Sequence, residues 1–262
     1  MQQTGERMVQ AEVETEIEHL WMERHRFAYL YAIEVAKRLP SHASILDIGC
    51  GDGYGSAMLA EQLNSCVVGF DHDAETIQAA RAQHGAMVDF ERGDALRLPF
   101  HHEFDMVTCF QMIEHVADGG EVLAGIAHAL KPGGVLVLTT PNRVYRLQPG
   151  QRPWNRWHLH EYYAAELSAL LSRFFSTVWM CGVRGTPEAE ELERGRVAAM
   201  RKHRLIGWVR RVMPESSRRL LTKTRLFRCD KTSTRHFTPD DFRVVRGEEV
   251  ENSLDLLAVC AR

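Results

Sequence analysis

The sequence lacks several features that would assign it at once to a common class of protein. No apolar run approaches the roughly 20 residues that a membrane-spanning helix needs, and the beginning of the chain is polar and acidic, unlike a secretory signal. The six cysteines show no CxxC spacing, which argues against zinc ribbons and disulfides. A formal net charge of -3 gives no reason to expect a nucleic-acid partner. These absences predict a cytoplasmic protein with reduced thiols.

The chain does contain a regular alternation of short apolar runs and helical segments. With 262 residues and 45% apolar content, it can bury the core of one large α/β domain. Such an alternation indicates right-handed crossovers and a parallel sheet covered on both faces. The predicted strands cover residues 44–48, 66–70, 87–91, 104–110, 135–140, 174–183 and 253–261. The predicted helices cover residues 12–39, 56–63, 74–83, 121–130 and 164–171.

These elements predict a single domain, 1–262, built from four parts. N-terminal cap helices (1–40) precede a ligand-binding core (41–183), a basic helical insert (184–250) and a final strand (251–262). Within the insert, residues 192–236 carry many more Lys and Arg than Asp and Glu. Two basic amphipathic helices are predicted there, one ending at Pro214 and one over 216–227. Thr238 is predicted to cap a further helix, with Pro239 in its first position.

A glycine-rich loop follows the first predicted strand in the stretch ILDIGCGDGYG, Ile45–Gly55. Gly49, Gly51 and Gly53 would let a ligand approach backbone N–H groups at a helix start. The first interpretation is a phosphate site, but the spacing is GxGxG, and Asp47 with Asp52 would repel a pyrophosphate. Two carboxylates instead suit an ammonium or sulfonium ligand. S-adenosylmethionine (SAM) carries both charges, and its carboxylate can use the backbone N–H groups.

Two further acidic residues follow the next strands at suitable places. Asp71, 22 residues after Gly49, is predicted with its neighbour His72 to bind the ribose hydroxyls, and no Arg stands there for a 2′-phosphate. Asp94 and Ala95 are predicted to contact the adenine. Each isolated Asp could instead be a helix cap or part of a solvated turn. Asp47, Asp71 and Asp94 together, in this order and at strand ends, favour a ligand site.

These motifs together resemble those of class I SAM-dependent methyltransferases. The resemblance rests on ILDIGCGDGYGSAMLA, VVGFDHDAETIQAAR, FERGDALRLPFHHEFDMVTCFQMIEHV and LKPGGVLVLTTPN. It is greatest for the branch with the ubiquinone- and menaquinone-biosynthesis enzymes and many small-molecule and glycan-modifying enzymes. It implies SAM as cofactor and a Rossmann-like, seven-stranded, mostly parallel sheet with an antiparallel last strand beside the fifth. It also implies that the N-terminal helices cover the cofactor and that Gln111 lines the cofactor site.

The segment after the fourth strand contains the pair Glu114-His115. In the ubiquinone O-methyltransferases, the similar segment carries Glu-x-x-Glu-His and binds a divalent metal. Here Gln111 stands in the first Glu position, and a neutral amide is a poor anionic ligand, so no metal is predicted. Two hypotheses remain for the pair: a buried, hydrogen-bonded support for the loop, or His115 as a general base.

The segment after the fifth strand, RPWNRWHLHEYYAAEL, resembles the acceptor side of the same branch. His160 is predicted as the more exposed base, with His158 as a further candidate. The alternative is that His158 and Glu161 anchor the loop and cap the next helix. Trp154 and Trp157 could stack on a sugar or an aromatic ring.

The sequence therefore predicts methyl transfer to a small-molecule, saccharide (glycan) or lipid-linked acceptor, at oxygen. The alternatives are a SAM-binding scaffold without catalysis and a nicotinamide-dependent enzyme. The basic insert could be a solvated helix pair, a peripheral contact with an anionic membrane, or a lid over a phosphorylated acceptor. RNA binding is not favoured, because no recognised RNA-binding module accompanies the charge.

Overall fold

The computed structural model describes residues 15–212 and 236–262. Within these residues, eight strands form one sheet in the order β3-β2-β1-β4-β5-β8-β6-β7. The strands are β1 Ser44–Ile48, β2 Cys66–Asp71, β3 Asp89–Arg92, β4 Phe104–Phe110, β5 Leu130–Pro141, β6 Thr177–Gly185, β7 Phe242–Val245 and β8 Asp255–Ala261. The described helices are α1 Glu16–Ala36, α2 Tyr54–Leu63, α3 Ala74–His84, α4 Gly119–Ala129, α5 Arg143–Arg146, α6 Ala164–Leu171 and α7 Pro187–Val212.

The sheet has the predicted mixture of strand directions. Strands β1 to β5 pair in parallel, and β8 inserts antiparallel between β5 and β6. The fold class is confirmed as Rossmann-like. The chain reverses its direction of strand addition at β1, which lies between β2 and β4, and ligands of such sheets bind at the carboxyl ends of the strands at this point.

One strand was not predicted. Sequence reasoning expected seven strands, with Thr238 capping a helix that has Pro239 in its first position. Thr238 is the cap and Pro239 the first residue, but the helix is a single 3₁₀ turn, Pro239–Asp241. Strand β7 follows it at the sheet edge, paired antiparallel with β6. Four residues, FRVV, are too few to show an alternating pattern, so the strand depends on pairing with β6 rather than on a local signal.

Both faces of the central strands are buried, because successive side chains point to opposite sides. Ile45 and Met106 pack beneath α1, α2 and α3, whereas Leu46 and Val107 pack beneath α4 and α6. All four side chains are at most 1% exposed. This two-sided burial is why these strands read as continuous apolar runs.

The first and last long helices pack against each other and against the sheet. Thr15 caps α1 through a capping box with Glu18, and α1 contacts both α2 and α7. Helix α7 is the predicted first basic helix, extended back to Pro187. The predicted second helix, 216–227, lies outside the described residues. Within the described part, no helix combines the length and apolar character that crossing a membrane requires.

Candidate cofactor and acceptor site

The glycine-rich loop connects β1 to α2 with three left-handed residues. Gly49, Gly51 and Gly53 have φ values of 77°, 55° and 84°, which glycine adopts at little cost. A Cβ on Gly53 would lie 2.6 Å from the Phe90 ring, whereas one on Gly51 would meet nothing within 4 Å. The backbone at Gly51 is therefore the part of the loop that a ligand can approach most closely.

Asp47, predicted to meet a cationic ligand, points inward instead. Its carboxylate is 1% exposed and accepts hydrogen bonds from three hydroxyls, Tyr29 at 3.0 Å, Ser56 at 2.6 Å and Thr108 at 2.7 Å. Burial raises the pKa of Asp47, although the three hydroxyl bonds oppose this shift. As the chain is folded here, Asp47 supports the loop from below, and its predicted contact with the ligand stays a prediction.

Asp71 lies at the end of β2 and meets the loop. Its Oδ2 accepts from the Gly51 N–H at 3.2 Å, and its Oδ1 accepts from the Asp73 N–H at 3.0 Å and lies 3.2 Å from Nδ1 of His72. Burial alone would raise the pKa of Asp71, but these hydrogen bonds outweigh it and lower the pKa. Asp71 is thus an ionised acceptor beside the loop, as ribose binding requires.

The predicted adenine contact lies on the neighbouring strand end. Asp94 is exposed and caps the short turn Ala95–Arg97 by accepting from the Leu96 N–H at 3.0 Å. The capping role that sequence reasoning gave as an alternative is therefore present. Adenine binding by Asp94 and Ala95 stays a prediction.

Gln111 stands at the carboxyl end of β4 in a strained conformation. Its φ of 50° is left-handed, which is uncommon for a residue with a Cβ. Its backbone N–H donates to the Thr139 carbonyl at 2.9 Å, and its side-chain amide donates to the Thr139 hydroxyl at 3.5 Å. Gln111 thus joins the ends of β4 and β5, where strain is typical of functional positions.

Helix α1 places the rings of His25 and Tyr29 over the ends of β1 and β4, an arrangement that the sequence did not predict. His25 hydrogen-bonds the Tyr54 hydroxyl, and the Tyr29 ring packs edge-on against Phe110 with centroids 4.9 Å apart. Burial, with a contribution from Arg24, lowers the pKa of His25 to about 4. His25 is therefore neutral at pH 7. No local signal links α1 to the loop, because the contact spans 29 residues.

Two of the three candidate bases lie together. The rings of His115 and His158 meet edge to face with centroids 4.8 Å apart. His115 Nδ1 lies 3.0 Å from the Trp157 carbonyl, and His158 Nδ1 lies 2.8 Å from Oε1 of Glu161, which is fully buried. Carbonyl and carboxylate oxygens only accept, so Nδ1 is the donor in each ring, and a ring in its neutral form has its lone pair on Nε2.

Glu114 completes this cluster and is fully buried. Its Oε2 accepts from the Thr140 hydroxyl at 2.8 Å, and burial raises its pKa to about 7 against the opposing effect of His158. One ligand atom each from Glu114, His115 and His158 lies within 4.8 Å of the others, a group that could hold a metal ion. The expectation that no metal is used stays a prediction.

The third candidate base, His160, lies apart from this pair. Its Nε2 lies 2.7 Å from Oε1 of Glu166 in α6, and the two side chains are 45% and 42% exposed. Its ring packs edge-on against Tyr162. His160 is thus paired at the surface, while the buried dyad of His158 and Glu161 was given by the sequence only as a loop anchor.

Arginine side chains already stack on Trp154, the ring that was predicted to stack on the acceptor. The guanidinium of Arg146 lies 4.4 Å from the Trp154 ring centroid, and that of Arg196, from α7, lies 4.7 Å from it. Arg196 also stacks on Trp21 of α1 at 4.9 Å. Trp154 is therefore held by arginines that connect α1, α5 and α7, and the sequence could not show this because the partners are distant along the chain.

Comparisons with known proteins agree on one family. A family model described as a methyltransferase domain matches residues 45–134. A probable SAM-dependent methyltransferase of Mycolicibacterium smegmatis is 36% identical over 170 residues, 64% of this chain and 62% of that protein. One of Mycobacterium tuberculosis is 31% identical over 193 residues, 72% of this chain and 67% of that protein. This chain thus spans about two thirds of the length of both relatives.

Two further likenesses bear on activity and fold. A ubiquinone biosynthesis O-methyltransferase of Xylella fastidiosa is 38% identical over 115 residues, 42% of this chain and 46% of that enzyme. The crystal structure of a SAM-dependent methyltransferase from Thermotoga maritima covers 92% of both chains with a TM-score of 0.55 and 17% identity. At that identity, the structural likeness concerns the fold alone.

Proposed function

The chain belongs to the SAM-dependent methyltransferases, and we propose that it transfers the methyl group of SAM to a hydroxyl oxygen of an acceptor. The acceptor is a small molecule, a saccharide or a lipid-linked compound. The observation that carries the choice of oxygen is the pair of His115 and His158, whose Nδ1 atoms meet oxygen acceptors, so that Nε2 of the neutral rings can take a proton. A hydroxyl acceptor must lose a proton, which such a pair can take.

The residues around the glycine-rich loop fit the cofactor. The open side of Gly51 leaves room for close approach to the backbone, and the lowered pKa of Asp71 keeps an anionic acceptor next to it. Gly49, Gly51, Gly53 and Asp71 would hold SAM in this proposal, with Gln111 at the neighbouring strand end. When bound, SAM supplies a methyl group on a positively charged sulfur, which needs no further activation.

The protein's own task is to place the acceptor and remove its proton. We assign proton removal to Nε2 of His115, because this ring is less buried than that of His158. His158 and Glu161 form the dyad behind it, and Glu161 acts as a positioning residue by fixing the His158 tautomer. His160 is the weaker candidate because Glu166 already occupies its Nε2 at the surface.

Two lines of support are independent of the histidines. The first is the 38% identity to the Xylella fastidiosa O-methyltransferase over 115 residues, which are less than half of either chain. Cys50, Cys66, Cys109, Cys181 and Cys260 are free thiols, which supports a cytoplasmic site of action. Contact of the insert with an anionic membrane stays a prediction, because residues 213–235 lie outside the described part.

The test compares His115→Gln with His160→Ala and with His101→Gln, an exposed histidine before β4. S-adenosylhomocysteine release is measured with a panel of hydroxyl, amine and thiol acceptors, and cofactor affinity is measured by calorimetry. We expect His115→Gln to lower kcat by about 100-fold or more, a typical loss for a general base. Cofactor affinity should stay within about twofold, and both other variants should retain most activity.

Three results would contradict parts of this proposal. Transfer to amines but not to hydroxyls would exclude oxygen as the target. A larger loss of kcat for His160→Ala than for His115→Gln would show that His160 is the general base. Cofactor binding without methyl release from any acceptor would favour a SAM-binding scaffold, the alternative that the sequence left open.

A further inference from the structure

Unpaired buried polar atoms of the described residues are concentrated in one region. Of the eight such side-chain atoms, six belong to residues that contact one another or lie beside the histidine pair. Four are N–H donors and two are carboxylate oxygens. They are Nε of Arg143, Arg146 and Arg201, Nε1 of Trp154, Oε1 of Glu114 and Oε2 of Glu161.

These side chains form one connected group, which we call the polar cluster. Arg146 lies 3.4 Å from Glu161 and stacks on Trp154. The Arg201 guanidinium donates to the Arg146 carbonyl at 3.3 Å, and Arg143 donates to the Glu161 carbonyl at 3.3 Å. Since Glu161 also bonds His158, the polar cluster continues directly into the pair of His115 and His158.

Unpaired buried polar groups are costly, and native proteins retain few of them. Arg146, Glu161 and Glu114 are all more than nine-tenths buried, so bulk water does not reach their unpaired atoms. Six such atoms in one place therefore point to a ligand that supplies the missing partners. The place next to His115 is where the acceptor must lie.

The mixture of donors and acceptors identifies the chemistry of that ligand. A simple anion would pair with the N–H groups but would be repelled by the carboxylate of Glu161. Two largely buried arginines near the cluster already have carboxylate partners and need no anion from a ligand: Arg24 pairs with Asp255, and Arg196 pairs with Glu193. Hydroxyl groups both donate and accept, so several of them on one molecule would satisfy both kinds of atom.

We infer that the polar cluster is a subsite for a polyhydroxylated acceptor, such as a sugar ring or an inositol, with Trp154, Arg146 and Glu161 contacting its hydroxyls. This inference rests on the proposed function and specifies its acceptor. The atoms are shielded as the chain is folded here, so entry requires movement of the segment that carries Trp154. Residues 148–160 form no helix or strand, so this movement would break the stacking of Arg146 and Arg196 on Trp154 but no helix or sheet hydrogen bonds.

The test measures binding and does not depend on turnover. The full chain saturated with S-adenosylhomocysteine is titrated with methyl α-D-glucopyranoside, myo-inositol, catechol or inorganic phosphate, and binding is followed by saturation-transfer NMR and calorimetry. Trp154→Phe removes the indole N–H and leaves a smaller aromatic ring. The matched control is Trp179→Phe on β6, where the side chain is 54% exposed.

The expected result is binding of the two polyols, weakened up to about tenfold by Trp154→Phe and unchanged by Trp179→Phe. Stronger binding of catechol or phosphate, or equal polyol binding by wild type and Trp154→Phe, would overturn the inference. If none of the four probes bound, the inference would also be overturned, and ordered water would be the partner of the unpaired atoms. Polyol binding without methyl release would refute the proposed function alone, whereas methylation of catechol alone would refute only the subsite.

Discussion

Replacing Tyr29 by Phe tests whether Asp47 holds the glycine-rich loop through its hydroxyl partners. The Tyr29 hydroxyl donates to Oδ2 of Asp47 at 3.0 Å, and the Tyr29 side chain is only 2% exposed. The variant keeps the ring and its contact with Phe110 but removes one of three donors to a buried carboxylate. A hydrogen bond to an ionised group contributes about 1.5–3 kcal/mol. We therefore expect a loss in that range at pH 7, or a Tm lower by about 3–12 °C for a chain of this size.

The pH dependence of this loss follows from the raised pKa of Asp47. Burial raises that pKa in the folded protein, and the Tyr29 hydroxyl is one of the groups that oppose the shift. A raised pKa means that the contribution of Asp47 to stability is full below its unfolded pKa and is lost as pH rises through the folded pKa. Tyr29→Phe raises the folded pKa further, so the gap between variant and wild type should widen with rising pH and narrow in acid.

The assay is urea unfolding at several pH values from 4 to 8, with calorimetric titration of S-adenosylhomocysteine alongside. The control is Tyr163→Phe, because Tyr163 is 39% exposed and a surface change should stay within about 0.5 kcal/mol. A loss below about 0.5 kcal/mol for Tyr29→Phe, or a gap that grows as pH falls, would refute the reasoning.

Three further predictions concern the cofactor side and metal use. Gly53→Ala should destabilise the fold by about 2 kcal/mol or more in urea unfolding, because of its φ of 84° and the nearby Phe90 ring, whereas Gly51→Ala should cost about 1 kcal/mol and mainly weaken S-adenosylhomocysteine binding. Asp71→Asn should weaken that binding about tenfold in calorimetry, and wild-type affinity should stay flat from pH 5 to 8 because the lowered pKa keeps Asp71 ionised. Dialysis against EDTA should leave turnover unchanged, and a loss restored by added Mg²⁺ or Zn²⁺ would establish a metal among Glu114, His115 and His158.

The fold could be predicted because its signals are local. Short apolar runs at β1, β4 and β5 with helices between them specify a parallel sheet, and the glycine-rich loop and Asp71 mark the ends of β1 and β2. The missed strand β7 is four residues long and depends on its pairing with β6. A short edge strand of this kind carries too little sequence pattern to be recognised without its partner.

The acceptor side was harder to predict because its contacts join distant segments. Sequence reasoning found His115, His158 and His160 but favoured the exposed one, since exposure was the only criterion available without a structure. The partner of His158 was visible three residues away at Glu161. The pairing of Arg146 with that same carboxylate and the stacking of Arg196 on Trp154 have no sequence signature.

The buried ion pairs around this site favour a functional explanation over a purely structural one. Arg24 with Asp255, Arg146 with Glu161 and Arg196 with Glu193 take six charges largely out of water. Such pairs rarely stabilise a protein more than apolar residues of similar size would. The surrounding residues hold the Glu193 pKa near 2 against the effect of burial, through hydrogen bonds from Arg196 and Trp21 and the charge of Arg24. The ion pairs fix α1 and α7 beside Trp154 and His158, so their cost is best explained by the need to place acceptor-contacting groups next to the proposed base.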